Sequence, residues 1–298
     1  MLSQTSSHYQ VFPETNLHIV QTGNPTGPLV VLLHGLGGST ETFVPILPYL
    51  DPETNRIVSV DLEGFGKTGL SSPDIKLSIP RYVDELESLV ELLQKPADGD
   101  DAPVAADPTL NSTQQRVLII GHSLGSIIAM HYAAKHPEKT CGLALLGPGR
   151  SIAHIPVARE RMLSLATKAR VEGISAVADV AAISNFPAQS EPAVPGGLRD
   201  SVRQAVATCN AEAYAKTCEA VASLDHLDPD YDLINVPTLL LAGSGDVISP
   251  PNRSVALREL IGDNSWVTVL ENVGHQMILQ DLDGSAKAIR YLLEKVNA

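Results

Sequence analysis

The segment VLIIGHSLGSIIAMHYAA, residues 117–134, limits what this chain can fold into more than any other stretch. Its apolar run 117–120 reads as a buried strand. The run stops at Gly121-His122-Ser123-Leu124-Gly125 and resumes from Ser126 as a small-residue segment that reads as a helix. A strand that passes into a helix through one tight turn needs a strained backbone conformation at its apex. Flanking glycines remove the side chains that would clash there. The pattern predicts that Ser123 stands exposed at a strand end, at the start of a helix whose positive end favours developing negative charge.

The rest of the chain supplies the neighbours that such a strand needs. Apolar runs at 17–21, 29–33, 56–60, 142–146, 238–241 and 266–270, with a weaker one at 9–12, alternate with helical patterns. Alternation of this kind predicts an α/β fold with a mostly parallel sheet and helices on both faces. Ser78 caps a helix with Pro80 in its first turn, and Ile79, Tyr82, Val83, Leu86, Leu89, Val90 and Leu93 share one face. Ala286, Ile289, Leu293 and Val296 recur similarly near the C-terminus. After Ser39, Pro45 and Pro48 keep the next segment short or irregular.

Two stretches break the alternation. Residues 97–115 are acidic and contain proline, which predicts a surface loop entering the start of a strand, away from the strand ends where α/β sites form. Residues 151–235 lack strand patterns and read as helices at about 157–171, 174–184, 197–209 and 211–224. The expected organisation is a core of residues 1–150 and 236–298 with a helical cap, 151–235, inserted in it.

A serine nucleophile needs a base and a group that orients the base. Asp246 follows the strand 238–241 in Gly243-Ser-Gly-Asp246, and His275 follows the strand 266–270 in Glu271-Asn-Val-Gly-His275. Both come after Ser123 in the order Ser…Asp…His, each just past a strand end. An oxyanion hole needs the amide of Leu124 and one from the loop His34-Gly35-Leu36-Gly37-Gly38, where the glycines free the Leu36 amide to turn inward. His34 and His122 flank these two loops and are candidates for contact with substrate. His122 has packing as its alternative role.

Rival motifs are incomplete. Gly35-x-Gly37 has Thr40 where a dinucleotide loop needs its third glycine. Gly66-Lys67-Thr68 has Asp61 where a phosphate loop needs its first glycine, and Asp61 itself reads as a turn residue. Asp225, His226, Asp228 and Asp230 are crowded into a proline-containing loop without a second histidine at ligand spacing, which reads as exposed acidic surface rather than a metal site. His131 and His136 lie on or after the helix that follows Ser123 and read as packing or solvated residues.

The formal net charge of −13 argues against nucleic acid as a partner and gives no general attraction for anions. No apolar run approaches the length of a membrane span, and no signal peptide is visible. The three cysteines form an odd set without metal-type spacing, so reduced thiols and a cytoplasmic setting are expected. Oligomeric state is open, a homodimer included.

HGLGG, VDLEGFGKTG, GHSLGS, AGSGD and NVGH, in that order, resemble the landmarks of the α/β-hydrolases across almost the whole chain. The closer resemblance is to 3-oxoadipate enol-lactonases and the strigolactone- and karrikin-type hydrolases. It implies an eight-stranded, mostly parallel sheet with one antiparallel strand near the N-terminus, and a four-helix cap after the sixth strand. The resemblance implies Ser123 as nucleophile, Asp246 as acid, His275 as base and Leu36 and Leu124 as oxyanion donors. A serine at that place sets the chain apart from the dehalogenases and epoxide hydrolases of the fold, which use aspartate. In enol-lactonases an arginine near the start of the cap holds the substrate carboxylate. Arg150 in GPGRS matches it, with a solvated loop residue as the alternative. The implied activity is hydrolysis of a small carboxylic ester or lactone through an acyl-enzyme, without metal or organic cofactor. The alternative is a ligand-sensing receptor that keeps a slow triad. Few aromatics in the cap, chiefly Phe186 and Tyr214, argue against a large aromatic-walled pocket.

Overall fold

The computed structural model describes residues 2–95, 116–188 and 193–297. The loop expected at 97–115 lies outside the described residues. Eight strands form one sheet among those described: β1 (Gln4–Phe12), β2 (Thr15–Gly23), β3 (Leu29–Leu33), β4 (Arg56–Val60), β5 (Val117–His122), β6 (Thr140–Leu146), β7 (Thr238–Gly243) and β8 (Ser265–Leu270). Their order is β1-β2-β4-β3-β5-β6-β7-β8. β2 runs antiparallel to both its neighbours, and every pairing from β4 to β8 is parallel.

The helices in chain order are α1 (Ile79–Gln94), α2 (Leu124–Lys135), α3 (Pro156–Val171), α4 (Ile174–Ser184), α5 (Gly196–Ala207), α6 (Ala211–Ala222), α7 (Pro251–Ile261), the short α8 (Met277–Gln280) and α9 (Leu282–Asn297). The segment with two prolines, Thr40–Tyr49, folds as tight 3-10 turns capped by Ser39. Proline cannot donate an amide and crowds the preceding turn, so a regular α-helix is excluded there. α3 to α6 all lie between β6 and β7, the stretch where the sequence lacks strand patterns.

Strand periodicity divides the core into two faces. Leu29, Val31 and Leu33 of β3, with Val117 and Ile119 of β5, pack on the side of α1 and α2. Val30 and Leu32, with Leu118 and Ile120, pack on the side of the 3-10 segment and α9. Successive strand side chains point to opposite faces, so continuous runs of Val, Ile and Leu fit a sheet covered on both sides. Truncating any one of these buried side chains to alanine would cost about 2–5 kcal/mol.

Register brings the carboxyl ends of the parallel strands level. Leu33 pairs with Gly121, His122 with Leu146, Leu146 with Leu241, and Gly243 with Leu270. Loops leaving β3, β5, β6, β7 and β8 therefore emerge along one edge, where α/β folds form their sites.

Candidate active site

Ser123 joins β5 to α2 with φ 52° and ψ −108°, in the positive-φ region that non-glycine residues rarely adopt. Close packing enforces the turn. A β-carbon at Gly125 would overlap the Leu33 carbonyl, and one at Gly121 would overlap the Gly125 carbonyl. The Ser123 amide is held by the Leu146 carbonyl at 2.9 Å, and the Ser126 hydroxyl ties back to the Gly121 carbonyl at 2.6 Å. The strain of the apex is thus held by the strand on either side and by the first turn of α2.

Two backbone amides near Ser123 are left without a partner among the described residues. Leu124 is the first residue of α2, where the helix cannot use its N–H. Leu36 lies in the loop after β3, between Gly35 and Gly37, and Gly37 has φ 80°. Gly35 brings this loop against the turn, since a β-carbon there would stand 3.1 Å from the Ser123 β-carbon. Leu36 and Leu124 both border the cavity that Ser123 borders.

Asp246 and His275 are joined through Oδ2 and Nδ1 at 2.7 Å, with both side chains buried. The other oxygen of Asp246 accepts the amides of Ile248 at 2.8 Å and Ser249 at 2.9 Å. Burial by itself would raise the pKa of this carboxyl. The His275 ring and the Ser249 and Ile248 amides outweigh burial, and the pKa lies below the ordinary value. Asp246 is therefore held as a carboxylate that accepts the Nδ1 proton of His275 and leaves Nε2 free to accept one. The Ser123 hydroxyl makes no hydrogen bond to a described residue, so it remains free to turn toward a base or a substrate.

The Hydrolase_4 pattern, described as serine aminopeptidase S33, matches residues 24–283. The chain belongs to the Hydrolase_4 family of α/β-hydrolases. It is 28% identical over 275 residues to a pimeloyl-[acyl-carrier protein] methyl ester esterase of Neisseria meningitidis, covering 90% of this chain and 94% of that protein. Among solved structures it is similar to an esterase of Thermogutta terrifontis, with TM-score 0.79, 24% identity and 99% and 100% of the two chains covered. It is also similar to the enol-lactonase of Burkholderia xenovorans LB400, with TM-score 0.77, 22% identity and 97% and 100% covered. At these identities the two structures bear on the fold.

In this α/β-hydrolase a cavity of about 590 Å³ opens over Ser123. Leu36 and Ile127 line it from below, and Met162, Val177, Val206 and Tyr214 line it from α3 to α6. The helices rest directly on the loop after β3: a β-carbon at Gly37 would stand 2.9 Å from Val206. Tyr214 is the one Phe, Tyr or Trp on the cavity wall among the described residues. The volume and the aliphatic lining suit a small or medium ligand.

The structure corrects the assignment of His34 and gives His122 a packing role at the cavity edge. His34 is fully buried and does not border the cavity. Its Nε2 accepts the Leu62 amide at 3.1 Å, so Nδ1 donates to the Gly35 carbonyl at 2.7 Å. It braces the loop after β3. His122 borders the cavity, yet it is 7% exposed and its Nε2 donates to the His275 carbonyl at 2.8 Å. Burial, followed by the neighbouring His275 ring, pushes its pKa down to about 3, so it is neutral. It holds the His275 backbone in position.

Arg150 also borders the cavity, but its guanidinium is already engaged. Nε donates to Asp228 at 3.0 Å, Nη2 donates to the same oxygen, and the charge lies over the Tyr231 ring. The other Asp228 oxygen accepts the Ser151 amide at 2.8 Å and the Tyr231 hydroxyl at 3.0 Å. The expectation of an exposed acidic loop at 225–230 holds for Asp225 and Asp230, but His226 is buried and Asp228 is the counter-ion of Arg150. Asp61 has a structural role, accepting the Thr40 and Lys67 amides and the His18 ring.

Two residues escaped the sequence reading. Asn185, just after α4, accepts the His275 amide through its carbonyl at 2.8 Å and the Gln276 side chain through Oδ1 at 2.7 Å. Arg253, in the first turn of α7, borders the cavity. Neither belongs to a catalytic motif, and only the folded arrangement brings them to the site.

Proposed function

We propose that this α/β-hydrolase cleaves carboxylic esters or lactones through an acyl-enzyme on Ser123, with α3 to α6 acting as a cap that shapes the substrate pocket. One observation carries this reading. A strained serine, two unpartnered amides and an Asp246–His275 pair all converge at one cavity.

His275 Nε2 takes the Ser123 proton as the hydroxyl oxygen attacks the substrate carbonyl. The bond between His275 and Ser123 closes when substrate fills the pocket, as commonly happens at such sites. The oxyanion of the tetrahedral intermediate accepts hydrogen bonds from the Leu36 and Leu124 amides, at the positive end of α2. The protonated ring, stabilised by Asp246, then gives its proton to the leaving alkoxide or enolate. Water, activated by the same ring, releases the acid and restores Ser123.

The aliphatic wall favours a flexible aliphatic ester or a small lactone over a ligand that needs stacking partners. The relative named as a methyl ester esterase and the similar fold named as an enol-lactonase support that class. The Arg150–Asp228 pair weighs against Arg150 as the holder of a lactone carboxylate, because the charge it would offer is already neutralised. No observation favours the ligand-sensing alternative.

The test is a panel of short-chain esters and lactones, with 3-oxoadipate enol-lactone included, assayed on the wild type and Ser123→Ala. Multiple turnover that is lost in Ser123→Ala supports the reading. Full activity in Ser123→Ala would overturn it.

A further inference from the structure

Among the described residues, three arginines border the cavity, and Arg253 differs from Arg150 in its partners. Its Nη1 donates to the Ile248 carbonyl at 3.1 Å, and no described carboxylate lies within ion-pair distance. Arg150, by contrast, is paired with Asp228. The Asp246 carboxylate lies in the same region, but both its oxygens are taken by His275, Ile248 and Ser249. Arg253 is partly buried, and desolvation pulls its pKa below the ordinary value; the nearby Asp246 charge works against that pull and the charge of Arg150 adds to it. A cation taken out of water usually gains a partner in return. Here Nε and Nη2 have no partner among the described residues, and the residue faces a ligand cavity.

The charge of the wall points the same way. The chain carries 34 acidic and 21 basic side chains. Yet among the described residues the cavity is bordered by Arg150, Arg253 and the exposed Arg161 against a single acid, the exposed Glu41. With Arg150 neutralised by Asp228, the excess at the wall is positive in a molecule that is strongly negative overall. Surface charge alone would repel anions, so a local cation inside the pocket is needed if an anion is to enter.

We infer that Arg253 is an anion-binding subsite of the pocket, and that the substrate carries a free carboxylate besides its scissile ester. This rests on the esterase reading above. Guanidinium binds carboxylate through two parallel N–H donors, a geometry lysine cannot reproduce. Nε and Nη2 form the edge of the guanidinium that remains available. The favoured substrates are then hemiesters of aliphatic dicarboxylic acids, or lactones bearing a carboxylate, held at one end by Arg253 and cleaved at Ser123.

The experiment compares kcat/KM for monomethyl adipate and dimethyl adipate in the wild type, Arg253→Gln and Arg253→Lys. The wild type is expected to prefer the hemiester. That preference should fall about ten-fold or more in Arg253→Gln and be partly kept in Arg253→Lys. An equal fall on both esters would mean that Arg253 acts through Asp246 or the fold, and would overturn the inference. A wild type without hemiester preference would also overturn it, while leaving the esterase reading intact. Failure to cleave any ester in the panel would overturn both. If Arg253→Gln does not fold, inhibition of the wild-type diester reaction decides: hexanoate should inhibit about ten-fold or more better than hexanamide, and equal inhibition refutes the subsite.

Discussion

The His275 amide donates to the Asn185 carbonyl at 2.8 Å, which ties the loop of the proposed base to the end of α4. The contact is close on every side. A β-carbon at Gly274 would stand 2.6 Å from the Asn185 carbonyl oxygen and 2.8 Å from the Phe186 α-carbon. The helices that shape the pocket therefore also hold the proposed base, so pocket shape and the position of the Asp246–His275 pair are not independent.

Asn185→Ala keeps the backbone bond but removes the Oδ1 acceptor of Gln276. It also removes the Nδ2 donor to the Ala181 carbonyl, so the expected stability loss is about 1–3 kcal/mol, from two hydrogen bonds. A loosened His275 loop should lower kcat/KM on a neutral ester by about 3- to 10-fold, since small displacements of a catalytic group are costly. Steady-state kinetics beside a urea melt would measure both, and a stability loss with no kinetic change would refute the coupling.

Ser123 should trade stability for reactivity. Ser123→Gly removes the positive-φ strain at 52° and should raise stability by about 1 kcal/mol, after allowing for a freer unfolded chain. The melting temperature should rise by about 2–4 °C while turnover falls by about 10⁴-fold or more. A melting point at or below that of wild type would show that the turn is unstrained.

Arg150 and Asp228 should behave as a structural pair. Either Arg150→Gln or Asp228→Asn breaks a partly buried, charge-assisted contact and should cost about 1.5–3 kcal/mol. The double variant should cost less than the sum of the two, since each single change already breaks the pair. A double-mutant cycle read by chemical denaturation gives the coupling. Additive losses would contradict the pairing.

Acid should destabilise the fold through His122 before it reaches the carboxylates. His122 is neutral in the fold, with its pKa pushed down to about 3, whereas an unfolded histidine takes a proton near 6.5. Between those values the unfolded chain binds more protons, so stability is full above about pH 6.5 and is lost as pH falls toward 3. The slope reaches about 1.4 kcal/mol per pH unit for one such histidine. His131, pushed to about 4 by burial and then by His226, adds in the same direction. Asp246, with its pKa lowered, contributes only below the ordinary carboxylate range. Urea midpoints at pH 7, 6 and 5 should fall in wild type and fall less in His122→Gln.

Much of this molecule was legible because local rules and the required chemistry coincide. The strand–Gly-His-Ser-Leu-Gly–helix pattern needs one backbone solution, and Gly121 and Gly125 are the residues that fit it. The β1 strand was underread at 9–12 because Gln4 to Tyr9 lie on a polar edge, where pairing with β2 rather than apolar content makes the strand. The roles of the two histidines are hidden in the sequence for a different reason. Proximity in sequence to Gly35 and Ser123 does not say which way a ring turns, and His34 turns inward to Leu62 while His122 reaches across to His275.

The sequence by itself determined the order of strands and helices, the strained turn at Ser123, and the identity and succession of Asp246 and His275. These depend on apolar periodicity, glycine placement and short-range spacing, all of which act within a few residues. Tertiary structure alone decided the state of the arginines. Asp228 lies 78 residues from Arg150 and reaches it only when the segment after α6 folds back beside the β6 loop. That contact neutralises Arg150, while Arg253 at the start of α7 borders the cavity with no described carboxylate within ion-pair distance. Charge pairing depends on distance in space, which one-dimensional spacing does not encode.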